Sequence, residues 1–250
     1  MISKGELIEL LFNKSGITDF DRYPFNLPFF KATERLQFHP KVTFFIGENG
    51  TGKSSLIEAI AILCGFNPEG GTANFNFSTR DSHSELHQYL KASRGTNRHK
   101  DGFFLWSESF FNVASEIEKL DEEGGGPRII DAYGGKSLHE QSHGEAFWAL
   151  FMNRFFGNGL YILDEPEAAL SPTRQMAMLV RMHELIRQNS QFIIATHSPI
   201  LIAYPNATIY EFTDQGIQIK KYQETELFNI YKNFFEKMDD VIDFLLNGEE

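Results

Sequence analysis

Four short apolar runs, each bounded by polar residues or glycine, punctuate the chain. Residues 42–46, 102–106, 160–163 and 191–196 are too short for buried helices and rich in β-branched and aromatic side chains, so each predicts a buried strand. Helical patterns lie between them, over 55–64, 110–120, 144–156 and 172–188. The 144–156 segment repeats its apolar positions at Ala146, Phe147, Leu150, Phe151 and Phe155, and the 172–188 segment carries Pro172 inside its first turn. Two further runs, 207–212 and 217–222, flank Thr213-Asp214-Gln215-Gly216 and predict a hairpin. Near the start, 6–12 reads as a short helix, 21–29 as extended coil with Pro24 and Pro28, and 32–46 as two strands around His39-Pro40. Residues 224–246 read as one charged helical tail. Apolar strands alternating with helices predict an α/β fold: a mainly parallel sheet flanked by helices, with an antiparallel β edge from the hairpin.

Residues 65–126 interrupt this rhythm. They are rich in Gly, Asn, Ser and His, with weak periodicity. The expected organisation is therefore one domain over 1–250 with a lobe inserted at 66–145. No heptad pattern is sustained, which excludes a long coiled coil, and no internal repeat is evident.

Composition narrows the function. A 250-residue chain that is 42% hydrophobic can build a sizeable core, and its 25 phenylalanines read as core before ligand stacking. Lys plus Arg total 23 against 34 acids, a net charge of −11, which argues against coating nucleic acid by bulk charge. A local basic segment, Lys91, Arg94, Arg98, His99 and Lys100, reads either as a solvated loop or as a contact for a phosphate backbone or partner. A lone Cys64 on the apolar side of a predicted helix cannot form an intrachain disulfide; it reads as a small buried filler and suits a reducing compartment. Glu6 and Glu9 break up any secretory pattern, and no run reaches the ~20 apolar residues that span a bilayer, so the expected location is cytoplasmic.

The sharpest chemical signal is Gly47-Glu48-Asn49-Gly50-Thr51-Gly52-Lys53-Ser54, which fits the phosphate-cradling P-loop at every fixed position. Backbone N–H groups of Gly47, Asn49, Gly50, Thr51, Gly52 and the residues Lys53, Ser54 and Ser55 at the following helix start would converge on phosphate oxygens. Lys53 can reach the outer phosphates, and the Ser54 hydroxyl suits Mg²⁺. A predicted strand before the motif and a helix after it supply the context it needs.

A second constellation closes the 160–163 strand: Asp164 and Glu165. Asp164 is placed to hold Mg²⁺ and Glu165 to orient and deprotonate an attacking water. By itself the pair also suits a helix N-terminus before Pro166. His197 ends the next strand. A lone histidine is usually structural, but here it is a candidate for touching the γ-phosphate or the attacking water. His83, His87 and His143 form no metal pattern.

These three elements together resemble an ABC-type ATPase, where they are the Walker A loop, the Walker B strand with its catalytic glutamate, and the switch histidine. The resemblance runs over roughly 30–222 and is nearest the soluble branch of DNA-repair, chromosome-condensing and phage-defence ATPases, carried by Glu-Pro-Glu-Ala-Ala-Leu-Ser at 165–171 and Ala-Thr-His-Ser-Pro at 195–199. It implies further assignments. Gln141-Ser142-His143-Gly144-Glu145 stands where the family has its signature motif, matching at Ser142 and Gly144 and departing at His143 and Glu145; these residues would meet ATP held by a second copy, with Glu145 toward ribose or protein. Ala168-Ala169-Leu170-Ser171 stands at the D-loop. Glu108 stands for the Q-loop glutamine, as an Mg²⁺ ligand or as a solvated loop acid. Tyr23, Phe25 or Phe29 would stack on adenine or pack in the core.

The resemblance thus implies ATP and Mg²⁺ as ligands, catalysis by Glu165, His197 and Lys53, and a head-to-tail homodimer in the ATP state. The dimer would act as a switch or clamp with a protein partner, such as a nuclease or another effector in DNA processing or defence. The alternatives are the energising subunit of an ABC transporter, which needs a membrane partner, and a nucleotide sensor that barely hydrolyses ATP.

Overall fold

The computed structural model describes residues 5–72, 84–96, 99–106, 110–124, 128–137 and 139–248. In chain order its elements are β1 (Leu7–Phe12), α1 (Pro28–Ala32), β2 (Arg35–Gln37), β3 (Val42–Gly47), α2 (Lys53–Cys64), β4 (Leu90–Arg94), β5 (Asp101–Trp106), α3 (Phe110–Glu123), α4 (His143–Asn153), β6 (Gly159–Asp164), α5 (Pro172–Arg187), β7 (Gln191–Ala195), β8 (Thr208–Thr213), β9 (Gly216–Lys220), α6 (Glu226–Glu236) and α7 (Met238–Asn247). Six strands form the main sheet in the order β5-β6-β7-β3-β8-β9. All pairs are parallel except β8 with β9, the hairpin at one edge. A second, antiparallel sheet runs β2-β1-β4.

Successive side chains of a strand point to opposite faces, and the central strands are buried on both. Val42, Phe44 and Ile46 of β3, Tyr161 and Leu163 of β6, and Phe192 and Ile194 of β7 join the core beneath α4 and α5. The alternate residues Phe45, Leu160, Ile162, Ile193 and Ala195 join a second core with α1, α2 and the small sheet. The central strands are therefore sandwiched, whereas the edge strand β9 is open to solvent, with Ile219 exposed. On the α4 side Phe155 stacks on Tyr161, ring centroids 4.2 Å apart and planes nearly parallel.

Three sequence expectations are corrected. Residues 6–12 form the strand β1, not a helix. Leu7, Leu10 and Phe12 are buried, and strand partners on both sides outweigh the local helical preference of this leucine-rich run. The tail is two helices, not one, because the backbone turns out of the helical region at Lys237 (φ −132°, ψ 40°). Cys64 is half-buried and not the fully buried filler expected.

The two strands around His39-Pro40 belong to different sheets, so this turn is a crossover point. His39 Nδ1 accepts from the amides of Lys41 and Val42, each at 3.2 Å, and the Thr43 hydroxyl accepts from the His39 amide at 3.0 Å. Burial, helped by the charge of Lys41, pushes the His39 pKa down and keeps the ring a neutral acceptor. The fully buried Gln191 ties the sheets together: it accepts from the Leu7 amide (2.9 Å) and donates to the carbonyls of Leu7 (2.8 Å) and His39 (3.0 Å).

The stretch 66–145 contributes a strand to each sheet, β4 to the small one and β5 to the main one, followed by α3.

Candidate functional site

The register of the parallel strands builds the site. Asp164 on β6 pairs with Ala195 on β7, which pairs with Phe45 on β3. The residues just beyond that row, the loop after β3, Glu165 and His197, therefore emerge together at the carboxyl edge of the sheet, where open α/β folds bind ligands.

The loop after β3 takes its shape from glycine. Gly50 (φ 80°) and Gly52 (φ 94°) lie in the left-handed region, and a Cβ on Gly52 would come 2.5 Å from the Phe29 ring and 2.9 Å from Leu27. Gly52 then caps the N-terminus of α2, which begins at Lys53, so the loop delivers its chain directions into a helix start of twelve residues. Lys53 is buried; its Nζ donates to the carbonyls of Gly47 and Glu48, both at 2.8 Å. Thr51 adds a bond to the Glu48 carbonyl at 2.8 Å. Burial pushes the Lys53 pKa down, against the opposing pull of Glu165, Asp164, Glu167 and Glu48. Asn49 and Gly50 face outward at the mouth of the loop.

Across from it, Asp164 is buried and Oδ1 receives the Ser54 hydroxyl at 3.3 Å. Burial pushes its pKa up to about 7, with the Ser54 bond and Lys53 opposing and Glu165 adding to the rise. The Ser54 bond and the charge of Lys53 thus offset only part of the cost of burying this carboxyl. Ser54 and Asp164 offer an oxygen-only pair, the donor chemistry of Mg²⁺. Among the described residues no cluster of three or more His, Cys, Asp or Glu could hold a metal unaided. The residues present fit Mg-ATP.

Glu165 holds a left-handed backbone (φ 48°, ψ 51°), kept there by its amide bond to the Ala195 carbonyl at 2.9 Å. His197 Nε2 lies 3.6 Å from Glu165 Oε1 and is buried without a hydrogen-bond partner. Burial and Lys53 both lower the His197 pKa, against Glu165, so the approach joins a neutral ring to a carboxylate and is not an ion pair.

A family model described as "AAA domain" matches residues 26–137, and one described as "AAA domain, putative AbiEii toxin, Type IV TA system" matches residues 137–203. The first spans the Gly47–Ser54 loop and the second spans Asp164, Glu165 and His197. Among solved structures, the ATP-binding cassette MJ1267 of an ABC transporter aligns with a TM-score of 0.51 at 16% identity, over 95% of this chain and 98% of that one. The chain thus has the P-loop fold of ATP-binding cassettes. The bacterial ABC transporter cassette MJ0796 (TM-score 0.48, 15% identity, 76% of this chain and 90% of that one) and the SMC head domain from Thermotoga maritima (0.42, 16%, 86% and 98%) also align. No curated protein matches the chain significantly.

Within this ABC-type fold the signature-like segment opens α4. Ser142 caps the helix: its hydroxyl accepts from the Glu145 amide at 3.4 Å and donates to Glu145 Oε2 at 2.6 Å, and the Glu145 carboxylate accepts from the Ser142 amide at 3.1 Å. Those hydrogen bonds from Ser142 lower the Glu145 pKa. Both residues are exposed. Gly144 packs against the turn after β6; a Cβ there would come 2.4 Å from the Ala169 carbonyl.

Glu108 and Arg98 lie outside the described residues. Trp106, two positions before Glu108, pairs in register with Asp164, so β5 ends at the same edge as the site. Of the basic segment, Lys91 and Lys100 are exposed, but Arg94 turns inward: its guanidinium donates to the Leu63 carbonyl at 2.9 Å and lies 3.6 Å from Glu6. Arg94 is thus corrected, from part of a solvated loop or a phosphate or partner contact, to an internal contact. Phe25 and Phe29 are buried and join the core, which leaves Tyr23 as the aromatic at the loop: it is exposed, with its hydroxyl 2.8 Å from Ser55 Oγ.

Sequence reading passed over Glu167 and Gln175. Glu167 Oε1 accepts the His197 amide at 2.5 Å. Burial pushes its pKa up, against bonds from the Thr196 hydroxyl and the His197 amide. An acid two positions after Glu165 was the available signal.

Proposed function

We propose that the chain binds Mg-ATP and hydrolyses it in the cytoplasm, and that two copies close head to tail over two nucleotides, as a switch acting on a protein partner in DNA processing or defence. The observation that carries the reading is the meeting of Lys53 and Ser54 with Asp164, Glu165 and His197 at one sheet edge, from segments more than a hundred residues apart.

The glycine-shaped loop and the start of α2 cradle the phosphates, and Lys53 exchanges its carbonyl partners for phosphate oxygens. Ser54 and Asp164 hold the Mg²⁺, which when bound neutralises phosphate charge and relieves the burial of Asp164. Glu165 orients water and takes its proton; the neutral His197 ring donates to, or accepts from, the reacting oxygens through Nε2. One P-loop face leaves the outer phosphate open to solvent. A second copy presenting Ser142, Gly144 and Glu145 would cover it and exclude bulk water. The nucleotide would thereby glue the dimer, and hydrolysis would release it.

The test is Glu165→Gln with Mg-ATP. The expected outcome is a stable dimer by light scattering that dissociates in wild type as phosphate is released. A Glu165→Gln protein that stays monomeric at saturating ATP removes the clamp. Phosphate release that persists in Lys53→Ala removes the assigned site.

A further inference from the structure

The peptide after β7 poses a problem of satisfaction. Thr196 extends the strand ladder, its amide bonded to the Phe45 carbonyl at 3.0 Å. The next amide, that of His197, is past the sheet, where an unpaired donor is costly. It is taken up by a side chain from another loop: Glu167 Oε1, at 2.5 Å and 30 residues away in sequence. The second Glu167 oxygen is shut off from water.

The same turn is tied to the same loop at its other end. Gln175 Nε2 donates to the Leu170 carbonyl at 2.9 Å, while its Oε1 accepts the Ser198 hydroxyl at 2.6 Å. Ser198 Oγ in turn accepts the amides of Ile200 and Leu201, both at 3.1 Å. The turn Pro166–Ala169, which follows Glu165, and the loop 196–198, which carries His197, are thereby bound front and back.

We propose that Glu167 is a positioning residue: its carboxylate fixes the His197 backbone so that the ring presents Nε2 toward Glu165 and the reacting phosphate, and it makes the turn after β6 and the histidine loop move as one body. This rests on the reading of His197 and Glu165 as parts of a hydrolytic site. The geometry also predicts which substitutions preserve the effect. Glutamine keeps an oxygen at the same reach and can accept the same amide. Aspartate keeps the charge but falls short by a methylene, and alanine offers nothing.

The experiment pairs two readouts on the full chain. The first is hydrogen exchange at the His197 amide by NMR, without nucleotide. The second is steady-state phosphate release with Mg-ATP. Glu167→Ala and Glu167→Asp should expose the amide and lower kcat by about ten- to a hundredfold, in the range for partners that orient a reacting group, with KM for ATP within about twofold. Glu167→Gln should keep both near wild type, and Glu167→Ala should add little in a His197→Ala background. The proposal is overturned if the amide stays protected in Glu167→Ala, if glutamine fails to rescue, or if the losses from Glu167→Ala and His197→Ala simply multiply. If wild type releases no phosphate, the hydrolytic reading fails and the catalytic role of Glu167 fails with it, whereas the amide exchange still decides whether Glu167 clamps the loop.

Discussion

Ser54 Oγ lies 3.3 Å from Asp164 Oδ1, a contact between residues 110 positions apart. It joins the end of the glycine loop to the end of β6 at a carboxylate whose burial outweighs the Ser54 bond and the charge of Lys53. A buried charge whose desolvation outweighs its compensation is destabilising until a cation arrives. Asp164→Asn should therefore unfold at a higher temperature than wild type in EDTA, and should lose the added stability that wild type gains from Mg-ATP. That gain is about 2.7 kcal/mol at a hundredfold excess over Kd. Thermal melts with and without Mg-ATP check both signs; a wild-type-like ligand shift in Asp164→Asn would refute the assignment.

Gln191 replaces a missing stretch of backbone pairing between the two sheets. Gln191→Leu leaves the Leu7 amide and the Leu7 and His39 carbonyls without their partner. The expected loss is about 1–3 kcal/mol for each group left dry, tempered by water entry, read as a lower urea midpoint. Nucleotide affinity should hardly change, because β7 stays in register with β3 on its far side.

Glu6 links the small sheet to the segment before β5. Burial would raise its pKa, but hydrogen bonds from His99 and the charges of His99 and Arg94 prevail and lower it below 4.5. A carboxyl lowered in the folded state adds stability that is fully present above pH 4.5 and disappears as pH falls through the folded value. The stability difference between wild type and Glu6→Gln should shrink as pH falls below 4.5. Urea titrations across that window measure it; a difference that grows on acidification would contradict the ion-pair assignment.

The helices α6 and α7 bury no residue of their own, and Phe235, Leu245 and Leu246 are among their exposed side chains. Phe235→Asp with Leu246→Asp should change unfolding free energy by no more than about 0.5 kcal/mol, as expected of surface positions. The same change should weaken binding of a hydrophobic dye, since contiguous exposed apolar surface is what such a dye reports. A large drop in stability would mean that these side chains are covered in the native state.

The central sheet was legible because strands buried on both faces write themselves as unbroken apolar runs, and because their ends carried the residues of the site. Asp164 and His197 could be placed on one edge from the alternation of strands and helices alone. β1 was not legible: the run Leu7 to Phe12 takes its strand form from β2 and β4, whose contributions come from residues 35–37 and 90–94. Arg94 looked free in sequence because its acid, Glu6, lies 88 positions upstream. Glu167 was missed for a related reason. Its partner is a backbone amide, and a backbone amide leaves no letter in the sequence to pair with.

Glu165 bears a left-handed backbone that a glycine or an asparagine would adopt with less effort. A non-glycine residue held there costs on the order of 1 kcal/mol. The fold keeps an acid at its least comfortable position, so on the proposed reading of Glu165 as the hydrolytic base, robustness and turnover pull in opposite directions at that single residue. Selection for heat tolerance alone would then erode the carboxylate first, at the expense of the proposed activity.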